Sequence, residues 1–445
     1  MKALDAYRRV LAALPPEITA AEAEAEREAA VCVTLRGGVR QDCAASDVTE
    51  LFLRAGGTRT GFAYTQNLEE EPLAVLRRAY ENGLYAAADA PEPMRGPTDG
   101  PRDGGAAGTD PALLWEKAGE IDRHLAARLR PEDSRTLTVT GLARDLGLVN
   151  TRGCEVCGSS RTFLAELLVV RPGCASLRVQ RSFGALPDVQ PALFDAALDK
   201  WEACQLPAAD FTPGAYPCVL DSSVMTNILL TSWQMFTAQG YLHHGTPYAG
   251  KLGQTAASPV LQIVDRPESP ESGFCFPVDA EGTPGREVTL VRDGVLCGLM
   301  HNLTTAAAMG AEPTGNAGRK ALLSGNLPTV LGIIPRNFAI APGQGSLWQL
   351  LEAMGDGVYI CESFDEFHSI NVASGDYSIP CNGVLVQGGR MAGRVEGLTI
   401  TGTVQGLLSD VRAVAADTAV LPMEMLRSYT VAAPSVWVSR LQLSR

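Results

Sequence analysis

At 445 residues the chain exceeds what one hydrophobic core usually serves, so two domains are expected. It carries 37 Lys and Arg against 50 Asp and Glu, a formal net charge of -13, which argues against gripping the phosphate backbone of nucleic acid. No apolar run approaches the ~18–20 residues that span a bilayer, the N-terminus lacks the basic–apolar–small plan of a signal peptide, and 11 scattered cysteines fit reduced thiols better than a disulfide framework. A cytoplasmic protein without a membrane segment is the expectation.

In chain order, residues 5–30 read as helix broken at Pro15-Pro16, the second part being acidic and Ala-rich. Residues 30–35 and 50–55 read as strands around the turn Arg36-Gly37-Gly38, and the second leads into a strand–turn–strand unit ending at Thr65. Residues 69–89 have helical spacing. The Pro/Gly/Asp-rich segment from Ala90 to Pro111 buries too little apolar surface to offset chain entropy and reads as a mobile, dispensable loop. Residues 113–129 read as helix and 136–140 as strand, with a turn beginning at Leu148. Residues 162–171 and 174–181 read as a strand pair, and 194–203 as helix.

The pattern is interrupted between Pro207 and Pro217. The expected division is an N-terminal α/β domain over 1–210 and a strand-rich C-terminal domain over 211–445, an α+β chain. A short strand at 219–221 precedes a helix over about 224–239, capped by Ser222 or Ser223. One further helix is expected over 346–354. Near the C-terminus, the alternating runs 383–387 and 395–400 flank Gly388-Gly389, a hairpin signal because glycine reaches positive φ at little cost. Before them, Ser374-Gly375-Asp376-Tyr377-Ser378 reads as a turn. There Gly375 is free to take positive φ and Asp376 can accept from backbone N–H groups two residues on.

Chemistry-bearing residues are sparse. A catalytic zinc wants three protein ligands, commonly two His one helical turn apart. The five histidines, His124, His243, His244, His301 and His368, show no such pair, and the helix entering the second domain reads Thr231-Ser-Trp-Gln-Met-Phe236. Cys154-x-x-Cys157 stands alone and reads as two reduced thiols beside a turn. Cys381, His368 and Asp376 have the types of a thiol hydrolase without a distinctive spacing. The turns at 310–316 and 324–328 carry glycine but are not phosphate loops.

Several short pieces in order resemble the TldD/PmbA family, in its TldE (PmbA) branch. They are Gly61-Phe62-Ala63-Tyr64-Thr65, Asn150-Thr151-Arg152-Gly153, Gly214 to Leu220, Phe276 to Gly282, Asp293-Gly294-Val295-Leu296, Thr314-Gly315-Asn316, Ser374 to Ser378 and Ile400 to Thr403. The resemblance implies a heterodimer of two related chains. In it, a TldD-like subunit carries H-E-x-x-x-H and a later Cys as zinc ligands and cleaves peptides, while the TldE-like chain lacks them. It therefore implies no catalytic residue, metal or cofactor in this chain, with zinc in the partner and a small or unfolded peptide, such as a ribosomal peptide precursor, as substrate. Asn371, Gly375, Asp376 and Ser378 are the candidates for peptide binding or subunit contact. The runner-up is a stand-alone regulator, as the family's older gyrase-modulator label implies. His243-His244 and Cys154/Cys157 fit neither reading, and Thr403 stands where the branch has Asn.

Overall fold

The computed structural model describes residues 2–85, 93–101, 105–269, 271–319, 331–365, 367–423 and 429–445. The expected turn at 324–328, and Asp89 at the end of the expected second helix, lie outside these residues.

Six antiparallel strands form the first sheet, in the order β3-β2-β1-β4-β5-β6. They are β1 (Ala20–Arg36), β2 (Val39–Gly56), β3 (Thr60–Thr65), β4 (Ser134–Asn150), β5 (Glu155–Val170) and β6 (Leu177–Phe183). Helices α1 (Asp5–Leu11), α2 (Pro72–Leu84), α3 (Pro111–Arg128) and α4 (Asp195–Ala203) cover one face. The Arg36-Gly37-Gly38 turn, both glycines at positive φ, joins β1 to β2 as expected.

The expectation of helix from residue 20 to 30 is wrong. That segment is the first half of β1. Glu-Ala-Glu-Ala-Glu has good helix formers but a strict period of two. Ala21, Ala23 and Ala25 enter the core under α1 and α2. Glu22 and Glu24 point to the opposite face, where arginines meet them. Pairing on both edges and partners for both faces outweigh a propensity of a few tenths of a kcal/mol per residue.

Before α3 begins at Pro111, the described residues of the Ala90–Pro111 segment lack regular structure, yet the expectation of few contacts fails there. The first sheet holds its backbone by hydrogen bonds from Arg54, Asn150 and Cys157 and to Asp145.

The second half begins with β7 (Gly214–Leu220), α5 (Ser222–Ser232) and α6 (Ala238–Leu242). Then come β8 (Ile263–Arg266), β9 (Val288–Arg292), β10 (Val295–Leu296), α7 (Leu303–Met309), β11 (Ala317–Arg319), β12 (Leu331–Ile333) and β13 (Asn337–Ile340). After these run α8 (Leu347–Met354), β14 (Gly357–Ser363), β15 (Asp376–Gln387), β16 (Arg390–Thr403), α9 (Val404–Ser409), β17 (Val411–Met423) and β18 (Tyr429–Ser444). The helix expected over 224–239 is split. α5 tightens into a 3₁₀ turn at Trp233–Phe236, and α6 follows Thr237. Its cap is Asp221, whose carboxylate accepts the Ser223 N–H at 2.9 Å, rather than a serine. Helices α7 and α9 were not expected.

β7 pairs with both β14 and β18, and β18 with β16, so β7-β14-β15-β16-β18 closes into a ring. Cys218, Ile360, Ile379, Cys381, Ile400 and Leu443 belong to one continuous core with α5. The ring is therefore a packed core and not a channel.

Candidate functional site

The segment from Thr231 to Phe236 is spent on packing. Trp233, Met235 and Phe236 are buried. Ser232 Oγ donates to the Ile228 carbonyl at 2.6 Å and Trp233 Nε1 to the Tyr429 hydroxyl at 3.3 Å. Hydroxyl, indole, amide and thioether side chains are not a zinc donor set. The residues present do not fit the metal. Nor are the histidines gathered. His243 and His244 are exposed beyond α6, His124 Nε2 pairs with Asp195 at 2.9 Å, and His368 Nδ1 lies 2.5 Å from Asp365. His301 is buried, and burial lowers its pKa. Among the described residues no group of three His, Cys, Asp or Glu is placed to hold a metal ion.

The hydrolase set does not assemble. Cys381 sits in the ring core, where burial pushes its thiol up to about 12, and His368 is engaged by Asp365 on the surface. A thiol at that value supplies no thiolate near neutral pH. Cys154 precedes β5, buried, with its thiol pushed up to about 11 by burial. Cys157 lies within the strand, so no helix N-terminus activates the pair.

Asn371, Gly375, Asp376 and Ser378 share one surface turn at the start of β15, and all but Gly375 are exposed. The capping role expected of Asp376 belongs to Asn371, whose Oδ1 accepts the N–H groups of Ala373 and Ser374 at 3.0 and 3.2 Å. Asp376 instead accepts the Ser374 hydroxyl at 2.7 Å. Asn371 wins because the chain reverses immediately after it, bringing those amides back over its side chain. Gly375 has φ +84°, and a Cβ there would run into the Gln405 amide. Its carbonyl accepts the Val404 N–H at 2.8 Å, tying the turn to α9.

Sequence reasoning missed a buried polar junction between the first sheet and the second half of the chain. Glu22 on β1 accepts from Arg54 on β2 at 2.7 and 3.1 Å, and from the Asn150 amide at 3.0 Å. Glu281 lies 3.9 Å from Arg54 and accepts the Leu303 N–H at 2.8 Å. Glu24 binds Arg319, whose guanidinium lies 4.4 Å above the Phe52 ring. Asp279 is caged by the N–H groups of Glu281, Thr283 and Ala317 at 2.8–3.0 Å. Asn316 Nδ2 donates to Asp265 at 2.6 Å. Burial pushes Glu281 up to about 8 and Asp265 up to about 6, and it raises Glu24 and Asp279 as well. A carboxyl kept neutral by burial can donate as well as accept. The signal was present in the Glu22–Glu24–Glu26 alternation, where an acid on every second residue of a strand demands cations opposite.

The Asp279-x-Glu281-Gly282 and Thr314-Gly315-Asn316 turns, far apart in sequence, therefore close on one another. A family model described as the PmbA/TldA metallopeptidase C-terminal domain matches residues 213–445. The chain belongs to the PmbA/TldD family. It is 32% identical over 169 residues to a metalloprotease of Methanothermobacter thermautotrophicus, covering 38% of this chain and 35% of that protein. It is 23% identical over 385 residues to metalloprotease PmbA of Escherichia coli O157:H7, covering 81% and 79%. Across the first three relatives the matches span 35%, 52% and 45% of their lengths. The solved structure of TldE from Thermococcus kodakarensis superposes with a TM-score of 0.84 at 19% identity, over 99% of this chain and 100% of that one. At that identity the likeness speaks for the fold, a mixed and strand-rich PmbA/TldD architecture. Among the described residues no helix is long and apolar enough to cross a membrane.

Proposed function

We propose that this chain is the non-catalytic, TldE-like subunit of a heteromeric zinc metallopeptidase acting on small or unfolded peptides in the cytoplasm. The observation that carries the reading is the donor-free segment Thr231–Phe236, filled by apolar packing inside a metallopeptidase-type fold. A TldD-like partner supplies zinc, which polarises the scissile carbonyl and activates water. This chain completes the cleft and holds the peptide extended, a task that strand-rich surfaces perform through main-chain hydrogen bonds. In the same reading the chain divides near residue 210 into two domains. The turn at Asn371, Gly375, Asp376 and Ser378 contributes to subunit or peptide contact.

Purified alone, the chain is expected to carry no stoichiometric zinc and to show no peptidase activity. Elemental analysis finding one zinc per chain, lost on His243→Ala or His244→Ala, would overturn the assignment. Chelator-insensitive peptide cleavage by the isolated chain would do the same.

A further inference from the structure

The end of α4 and a bulge in β14 bring two thiols, far apart in sequence, to one place. Cys204 caps α4, its N–H donating to the Lys200 and Trp201 carbonyls at 3.1 and 3.2 Å. Trp201 in turn is buried in the core beneath the first sheet, which fixes the helix end. Cys361 is the extra residue of β14. Ile360 pairs with Gly383 and Glu362 with Asn382, consecutive residues of β15, so the register shifts at Cys361. Such a bulge re-aims a side chain out of the strand's alternation. There the Cys204 thiol is the hydrogen-bonding neighbour of the Cys361 thiol, which also donates to the Asn382 carbonyl at 3.6 Å. Both cysteines border the buried cluster of Val219, Leu350, Tyr359 and Val384, and both act on the Tyr359 phenol. Neither is fully buried.

We propose that Cys204 and Cys361 are a redox-active dithiol, which hydrogen peroxide closes to a disulfide that staples α4 to the ring of strands. The Cys204 sulfur attacks one peroxide oxygen, the O–O bond breaks, water leaves and Cys204 becomes a sulfenic acid. The Cys361 sulfur then attacks the Cys204 sulfur, the S–O bond breaks and a second water leaves. Two thiols thus give up two electrons and two protons to one peroxide, yielding one disulfide and two waters. The order of the steps follows from the surroundings of Cys361. Its thiol is held protonated well above the usual range, first by Cys204 and then by burial, so Cys361 is the resolving member. Converting Cys204 to the sulfenic acid removes the charge that holds the Cys361 proton, so the first step favours the second. The bond joins residues on either side of the division near residue 210 and limits how far the two parts can separate. Where thiols are kept reduced, such a bond is transient, made under oxidation and reopened by exchange. The dithiol stands apart from the subunit assignment and does not rest on it.

The test treats the full chain with hydrogen peroxide, alkylates the remaining thiols and maps disulfides by peptide mass. The expected product is a Cys204–Cys361 bond, formed while the exposed Cys43 and Cys297 still alkylate and reopened by dithiothreitol. Closing so long a loop should raise the thermal midpoint by about 5 °C. Cys204→Ser should abolish both the bond and the shift. Cys361→Ser should leave a sulfenic acid on Cys204 that dimedone traps, a signature that a merely packed thiol does not give. Cys204 and Cys361 both still open to alkylation once Cys43 and Cys297 are oxidised would overturn the proposal. So would the absence of a dimedone adduct on Cys204 in Cys361→Ser. Should either variant fail to fold, the native chain equilibrated with mixtures of reduced and oxidised glutathione decides. A Cys204–Cys361 bond that fills before any other disulfide supports the dithiol, and glutathione adducts on separate cysteines in its place overturn it.

Discussion

Replacing Arg319 by methionine is expected to cost about 3–5 kcal/mol of folding stability, the usual penalty for breaking one side of a buried ion pair. Arg319 is 2% exposed and Glu24 0% exposed, so the carboxyl left behind loses its cation and gains no water. The guanidinium also covers the Phe52 ring, so packing is lost with the charge. Glu24 is already raised by burial, and without Arg319 it would hold its proton more firmly still, at the cost of an unmet hydrogen-bonding demand. Adding Glu24→Gln should therefore return part of the loss, giving a double variant less damaged than the sum of the singles. Urea unfolding of the four chains measures this. A single-variant loss under about 1 kcal/mol would mean that the junction does not hold the two halves together.

Glu281→Gln is expected to change the pH dependence of stability more than its level near pH 5. Burial holds the Glu281 carboxyl at about 8 against an ordinary 4.5, with Arg54 opposing the shift. Between those values the folded chain keeps a proton that the unfolded chain has released. The contribution is thus fully present below about pH 4.5 and is lost as pH rises through about 8. At ~1.4 kcal/mol per unit, the span amounts to about 3–5 kcal/mol. Asp133 works in the opposite sense, because Arg171 holds its carboxyl below the usual range and its contribution is lost in acid. The thermal midpoint of the native chain should therefore fall from about pH 5 to pH 9, and Glu281→Gln should flatten that slope. Equal slopes in the two chains would remove Glu281 as the titrating group.

Local structure was legible wherever sequence pattern and tertiary demand agree. The β15–β16 hairpin turns at Gly388-Gly389, both at positive φ, and α8 starts at Ser346 with a reciprocal Gln349 cap. Helix α3 was legible for the same reason. Legibility failed where partners distant in sequence decide. The Glu22–Glu24–Glu26 alternation asks for cations without naming them, and Arg319 lies 295 positions from Glu24, so helix propensity carried the reading of the Ala/Glu run. The reading of the Ala90–Pro111 segment failed similarly. Its Pro/Gly content does rule out regular structure, but its hydrogen-bonding partners lie on β2, β4 and β5, invisible to local composition. The candidate turn was legible as a turn, though not in which side chain caps it. The junction joined two turns recognisable by their motifs, and only the fold shows that they meet.

Co-expression of this chain with a family member bearing H-E-x-x-x-H, followed by zinc analysis and a peptide-cleavage assay on whatever co-purifies, tests the central claim most directly. A stable pair with one zinc per two chains, cleaving peptides only when both chains are present, is the predicted result. Two chains that purify apart, or a partner whose activity is unchanged without this chain, would contradict it and favour a stand-alone regulator.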